Sequence, residues 1–303
     1  MPIEGESMYE QLTERVGVYT GGVNVGVIRG GSQGAILVDT GANESNARKV
    51  LRFVRDELKL DVDAILTTHA HADHFGGHAF VVKRTDAAVY APAFDASFLL
   101  HPELQPIFLF GGASPPAALL ERFVLAQPSP VDALVEPGPL EVGQVEIDVV
   151  SLKGHSPNQV GYLIDGVFFC ADVIFPQAAI EKYRIPYLFD LGEHFASLRR
   201  SADVEASYVV PGHGPIERSL REPLLLNRVI ADETLECIVQ VLAEPVALER
   251  IAEHVFERMD VPMTGHVSYY LLRPTIAAYL TYLEQQGAVE HLMDGKVARW
   301  RAV

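Results

Sequence analysis

The sequence predicts an α/β protein in two parts: a layered strand-and-helix domain over residues 1–216 and a helical, winged-helix-like module over residues 217–303. Three observations lead there. Short apolar runs with the period of strands alternate with amphipathic helical stretches through the first two thirds of the chain. Several of those runs end directly on histidine or aspartate. After Pro215 the texture shifts to three helical stretches and a final hairpin.

The elements follow in order. "VYTGGVNVGVIRG" and "AILVDTG" read as two strands flanking the glycine-rich turn from Gly30 to Gly34. Asn43 or Ser45 can cap a helix through "ARKVLRFVRDELK", where Val50, Leu51, Val54 and Leu58 share one face. "VDAILTT" is a strand that runs into "HAHADHFGG", and "AAVYAP" is another that follows a short helix. Residues 92–135 are apolar but broken by prolines and glycines. They read as an insertion of short helices and turns, serving as pocket wall, oligomer contact or plain packing. Strands resume with "VEIDVVSLKG", "VGYLIDG" and "VFFCAD", the last two joined by an Asp165-Gly166 hairpin signal. "SYVVPGHG" is one more strand ending in a loop. Leu224 to Leu242 is helical, and Leu248, Ile251, Ala252, Val255, Phe256 and Met259 keep helical spacing. Pro274 suits the first turn of a third helix carrying Ile276, Tyr279, Leu280 and Leu283. "VEHLM" and "KVARWRAV" then flank Asp294-Gly295.

Composition bounds the function. The chain has 303 residues, 49% of them hydrophobic, enough for a sizeable core. It contains no apolar run of roughly eighteen residues that would span a membrane. The N-terminal stretch is acidic and lacks the apolar centre of a secretion signal. Two cysteines, Cys170 and Cys237, make no disulfide framework, so a reducing, cytoplasmic setting is expected. Cys170, in "GVFFCAD", reads as a small core residue. The net charge of −16 disfavours nucleic acid as a partner. The third C-terminal helix, from Ser268 to Gln286, carries only Arg273 and Glu284 as charged residues, where a groove-reading helix should be basic. A small-molecule substrate is expected, and packing or homodimer formation is the expected role of the C-terminal module.

The chemistry concentrates at strand ends. His69, His71, Asp73 and His74 occupy six positions, and three imidazoles so crowded have no packing reason to be there. His155 in "LKGHSPNQVGY", Asp172 in "FFCADVIF" and His213 in "VVPGHGP" each follow a strand pattern too. In a layered α/β fold strand ends gather at one edge, where ligand sites form. Imidazole and carboxylate are ligands for zinc and similar divalent ions. Seven exceed one tetrahedral site and suit two ions that share a carboxylate, hold a hydroxide between them and clamp a substrate oxygen. His69 and His71, two apart in extended chain, point to one side. Asp73 and His74 diverge at the start of a helical turn. His78, His101, His194, His254, His266 and His291 are set aside as isolated or surplus histidines. Tyr183 and Tyr187 are candidates to approach the pocket.

"THAHADH" resembles the HxHxDH signature of the metallo-β-lactamase superfamily, and "GHSPNQVGY", "CAD" and "PGHG" resemble its later metal motifs in their usual order. The resemblance covers residues 16–216. It implies a four-layer αββα sandwich with the site at one edge. It also implies that His69, His71 and His155 hold one metal, that Asp73, His74 and His213 hold the second, and that Asp172 bridges. Zinc is the expected metal, with iron or manganese as alternatives. "LVDTG" resembles the early motif whose aspartate, here Asp39, supports the site from behind. The C-terminal part resembles the winged-helix appendage of the β-lactamase-like protein 2 type.

The implied activity is that of a binuclear metal-dependent hydrolase, with Asp73 orienting the attacking water or relaying its proton. The expected substrate is a thioester, ester or lactone, as for the hydroxyacylglutathione hydrolases. The alternative is a phosphodiesterase or endoribonuclease of the β-lactamase-like protein 2 type, and a mononuclear iron sulfur dioxygenase ranks below both. No GxSxG elbow is present for a serine hydrolase. Phe175 stands where the acyl-homoserine lactonases carry tyrosine. A bridging Asp172 departs from the pattern of true β-lactamases, which are exported.

Overall fold

A computed structural model describes residues 9–31, 34–121 and 123–303. The middle of the glycine-rich turn, Ser32 and Gln33, and the first eight residues lie outside the described residues. Seven strands form one sheet in chain order: β1 (Tyr9–Gln11), β2 (Val16–Tyr19), β3 (Val25–Arg29), β4 (Gly34–Val38), β5 (Asp61–Leu66), β6 (Ala88–Pro92) and β7 (Ala133–Val135). The first four pair antiparallel and the last four parallel. The second sheet runs β12 (Tyr208–Pro211), β11 (Val167–Ala171), β10 (Val160–Ile164), β9 (Val145–Ser151) and β8 (Gly138–Val142), with only β11 and β12 parallel.

Both sheets are apolar on both faces, which demands four layers. Between them lie Val16, Val18, Ile28, Ile36, Val38 and Leu66, against Val145, Ile147, Val149, Tyr162, Ile164 and Phe169. The outer face of the first sheet is covered by α1 (Glu44–Asp56), α3 (His78–Thr85) and α4 (Ala93–Leu100), which contribute Val50, Val54, Phe80, Val81 and Leu99. Asn43 caps α1, its side chain accepting from the Asn46 N–H at 3.1 Å. After β11 comes the short helix α6 (Gln177–Tyr183), and the outer face of the second sheet is covered by α7 (Leu191–Ala202) and by the C-terminal helices α8 (Arg221–Val239), α9 (Leu248–Arg258) and α10 (His266–Gln285). The αββα sandwich expected from the sequence is the fold found. The chain closes on the hairpin of β13 (Val289–Asp294) and β14 (Val297–Ala302).

Three local expectations are corrected. The run from Val16 to Arg29 is two strands, because Thr20 to Asn24 leave the ladder to form a loop. Residues 92–135 do form short helices and turns, but not as an insertion. They hold α4, α5 (Leu104–Leu109) and a 3₁₀ turn (Ala117–Leu119), then return as β7 to pair with β6, so they form the crossover of a parallel strand pair. Pro274 sits inside α10 rather than in its first turn. A proline there has no N–H for the preceding turn. The buried face of Leu272, Thr275, Ile276, Tyr279, Leu280 and Leu283 holds the helix together across it.

Candidate metal centre

The site is assembled where strands end. Asp39 follows β4 and Thr67 to His74 follow β5. His155 follows β9, Asp172 follows β11 and His213 follows β12. Because β4 and β5 run parallel, as do β11 and β12, their carboxyl ends share one edge of the sandwich. The four-residue helix α2 (Ala72–Phe75) turns Asp73 and His74 out of the chain direction of His69 and His71.

All seven predicted residues come together. His69, His71 and His155 form one group, Asp73, His74 and His213 a second, and Asp172 groups with His69 and His74 between them. Within each group one ligating atom per residue lies within 4.8 Å of the others. The Asp172 carboxylate faces His74 Nε2 through Oδ1 and both His155 Nε2 and His213 Nε2 through Oδ2, each at 3.5 Å. His155 Nε2 lies 2.7 Å from His71 Nδ1. Asp73 Oδ2 lies 3.3 Å from His213 Nε2.

Supporting hydrogen bonds fix which nitrogen faces inward. His155 Nδ1 donates to the Tyr187 carbonyl at 2.9 Å and His213 Nδ1 to the Gly22 carbonyl at 2.6 Å, which leaves Nε2 of each for the centre. Asp39 does the same for His74: its Oδ2 accepts from His74 Nδ1 at 2.8 Å. Asp39 is itself held by the Thr68 N–H at 2.9 Å and the Thr68 hydroxyl at 2.7 Å. Three atoms at the centre, His69 Nε2, His74 Nε2 and Asp172 Oδ1, are buried and make no hydrogen bond among the described residues. Buried polar atoms without a hydrogen bond cost on the order of 1–3 kcal/mol each. Divalent cations fit this donor set, because imidazole nitrogen and carboxylate oxygen are their protein ligands.

The protonation states agree. Burial pushes His69, His71 and His155 down, His71 to about 3, so these imidazoles are neutral and their lone pairs free. Burial also opposes charge on His74, but Asp172 and Asp39 outweigh it and raise His74 to about 10. Burial likewise opposes charge on His213, yet Asp172 and Asp73 hold it well above the usual imidazole value. Burial pushes Asp73 and Asp172 up, but His213 and His74 keep both well below the usual carboxylate range. Without metal, His74 and His213 thus face the carboxylates of Asp39, Asp73 and Asp172 as imidazolium ions, and a bound cation would displace those protons.

The close packing tolerates little. A Cβ on Gly212 would stand 2.0 Å from Asp172 Oδ1 and 2.7 Å from His74 Cε1. Asp39 and Ala171 adopt φ of 58° and 48°, the left-handed region that residues with a side chain rarely occupy. Both turn the chain sharply at a strand end, as strained residues at functional sites do.

Three residues escaped the sequence reading. Asp95, on α4 within the supposed insertion, accepts from the Ala70 N–H at 2.9 Å, the Ser156 hydroxyl at 2.9 Å and the Asn158 N–H at 3.0 Å. It ties the loop of His69 and His71 to the loop of His155. Burial raises Asp95 to about 6 despite those three donors. An acid on the buried face of the apolar helix "AFDASFLL" was its signal. Asn24, in the loop between β2 and β3, donates to the Pro211 and Gly214 carbonyls at 2.9 Å each and so frames His213. Asn227 of α8 binds the Phe175 backbone, three residues after Asp172. His78 stays outside the cluster, its ring held between the Thr40 and Thr67 hydroxyls at 2.7 and 2.9 Å. The Tyr187 ring approaches His71 and His155, with centroids 5.4 and 5.7 Å away, whereas Tyr183 is 40% exposed.

Fold and site together define an αββα protein with a histidine- and aspartate-lined cation site at one edge. The model of the metallo-beta-lactamase superfamily matches residues 18–213, and the chain belongs to that superfamily. It is 28% identical over 149 residues to a hydroxyacylglutathione hydrolase of Vibrio campbellii, covering 49% of this chain and 46% of that one. It is 29% identical over 196 residues to a hydroxyacylglutathione hydrolase of Methylobacillus flagellatus, covering 64% and 63%. The chain thus spans about half the length of most of these curated relatives. A beta-lactamase domain protein from Burkholderia ambifaria shares the fold with a TM-score of 0.76 at 21% identity, over 99% of this chain and 96% of that one. A metallo-beta-lactamase family protein from Thermus thermophilus does so with a TM-score of 0.71 at 23% identity, over 93% and 94%. These two likenesses extend the shared fold through the C-terminal helices.

Proposed function

We propose that this protein is a binuclear metal-dependent hydrolase of a thioester, ester or lactone. The observation that carries the reading is the convergence of seven histidine and aspartate side chains on a buried centre where three polar atoms make no hydrogen bond. His69, His71 and His155 would hold one divalent ion and Asp73, His74 and His213 the other, with Asp172 shared and zinc the first expectation. Bound there, such ions acidify water and polarise a carbonyl oxygen. The chain's own residues then act around them. Asp73 remains an ionised carboxylate beside His213, partly exposed at the open side, where it can orient an attacking water and accept its proton. Asp39 and the Tyr187 and Gly22 carbonyls keep the imidazoles turned inward through the reaction. The relatives named hydroxyacylglutathione hydrolase support the acyl substrate class.

Metal analysis together with a substrate panel tests the reading. Close to two ions per chain are expected, with turnover of an acyl thioester or a lactone. Asp73→Asn should lower kcat by roughly a hundredfold. Cleavage of bis-p-nitrophenyl phosphate or single-stranded RNA alone would refute the acyl reading.

A further inference from the structure

Two sets of aromatic rings lie by the His71 and His155 side of the site. The Tyr187 ring lies against both histidines, and the Phe175 ring centroid is 5.5 Å from that of His155. Two residues beyond Tyr187, the Phe189 N–H donates to the carbonyl of Gly154, the neighbour of His155, at 2.8 Å. The Phe189 ring then meets Phe108 of α5 at 6.0 Å, Phe108 meets Phe98 of α4 at 6.1 Å, and Phe98 meets Phe94 at 5.8 Å. The far end of this second set is tied to the site as well, because Asp95, next to Phe94, binds the N–H of Ala70 between His69 and His71.

The rings are not simply core. Phe98 is buried, but Phe94 is 47%, Phe108 40% and Phe189 39% exposed. Phe108 and Phe189 touch each other, Phe94 joins them through the buried Phe98, and the three exposed rings carry a hydration cost that an apolar ligand would remove. The wall is also electrically plain. Neither 93–110 nor 187–189 contains a lysine or arginine, and their carboxylates are Asp95, buried in its three hydrogen bonds, and Glu103, beside His101. Within these two segments a substrate group bearing carboxylates or phosphates finds no cation.

We infer that Phe94, Phe108 and Phe189 form the acyl-group subsite of the proposed hydrolase, selecting esters or thioesters with a long or aromatic uncharged acyl group. This rests on the hydrolase reading for its reacting bond, and on the ring contacts for its specificity. An extended acyl chain whose carbonyl sits at the centre would pass Tyr187 to reach Phe189 and Phe108, with Phe94 beyond Phe98.

The test separates the two layers. Metal-loaded protein is assayed with acetyl and decanoyl thioesters of one small neutral thiol, as the intact chain and as Phe108→Ala and Phe189→Ala. The decanoyl compound should be preferred at least tenfold in kcat/KM, and each variant should cut that ratio by roughly tenfold, since one methylene is worth about that much in an apolar site. Binding of the unreactive amide N-octyldecanamide, dispersed below its aggregation limit and followed by titration calorimetry, reads the wall without turnover. If no thioester is hydrolysed but the amide binds the intact chain and not the variants, the hydrolase reading fails and the wall stands. Equal rates for both acyl lengths, unchanged in folded variants, overturn the wall while hydrolysis stands. Conversion of a dimeric intact chain to monomer by Phe108→Ser, with the acyl preference unaltered, assigns the rings to a second copy of the chain and also overturns the proposal.

Discussion

At the scale of single residues, the centre is a set of conflicts that a cation would resolve. In the metal-free chain His74 is raised to about 10 by Asp172 and Asp39, against an unfolded imidazole near 6.5. A group raised on folding contributes stability that is fully present below its unfolded pKa and lost as pH climbs through its folded one. The chelated protein should therefore lose melting temperature between about pH 6.5 and pH 10. A chelated His74→Asn variant should show a flatter profile over the same range, and an identical slope in the two would exclude His74 as its source. Gly212→Ala places a methyl carbon 2.0 Å from Asp172 Oδ1 and 2.7 Å from His74 Cε1, both buried in the centre and held by their own contacts. That variant should lose metal affinity by tenfold or more, read by competition with a chelating dye. Histidine and aspartate were legible as ligands in the sequence because their chemistry is local to the side chain. Asp95 was not, because its importance lies in three donors contributed by residues 70, 156 and 158.

At the scale of elements, the C-terminal helices reach into the site's support. Asn227 of α8 accepts from the Phe175 N–H and donates to the Phe175 carbonyl, both at 2.9 Å. Thr275 of α10 accepts from the Leu188 N–H at 3.2 Å, beside the Tyr187 whose carbonyl orients His155. Asn227→Leu leaves both Phe175 backbone groups without their partner, a loss of about 1–3 kcal/mol. Urea unfolding should report that loss, and metal titration should report weaker binding, because the clamped segment leads directly from Asp172. Unchanged metal affinity in a destabilised Asn227→Leu protein would confine the clamp to folding. Strand and helix identities were legible from period and caps, as at Asn43 and Asp165-Gly166, where Asp165 and Gly166 adopt φ of 49° and 74°. The role of residues 92–135 was not, since a three-residue edge strand such as β7 gives almost no periodic signal.

At the scale of the whole molecule, one core runs through both halves. Leu152, Phe168, Cys170, Phe195 and Leu198 pack in a single cluster with Ile238, Ile251, Val255, Ile276 and Leu280. Composition and texture place a boundary near Pro215, but the apolar surface does not stop there. A chain ending at residue 216 would expose the outer face of the second sheet and α7. It should be recovered as aggregate, or as a species lacking near-ultraviolet dichroism and metal binding. A soluble, metal-binding 1–216 fragment would show instead that the sandwich folds alone. Among the described residues no helix is long and apolar enough to cross a membrane.

The sequence by itself singled out seven histidine and aspartate side chains after strand patterns, because residue type and hydrophobic period are written along the chain. Tertiary structure alone decided the geometry. Ligating atoms in each group lie within 4.8 Å of one another, and the bonds that hold them there join residues far apart in sequence. His213 and Gly22, 191 positions apart, and Asp39 and His74, 35 apart, meet only because two sheets and their helices pack in one way. The same packing joins Phe94, Phe98, Phe108 and Phe189, scattered through an irregular crossover and a loop, into one chain of ring contacts.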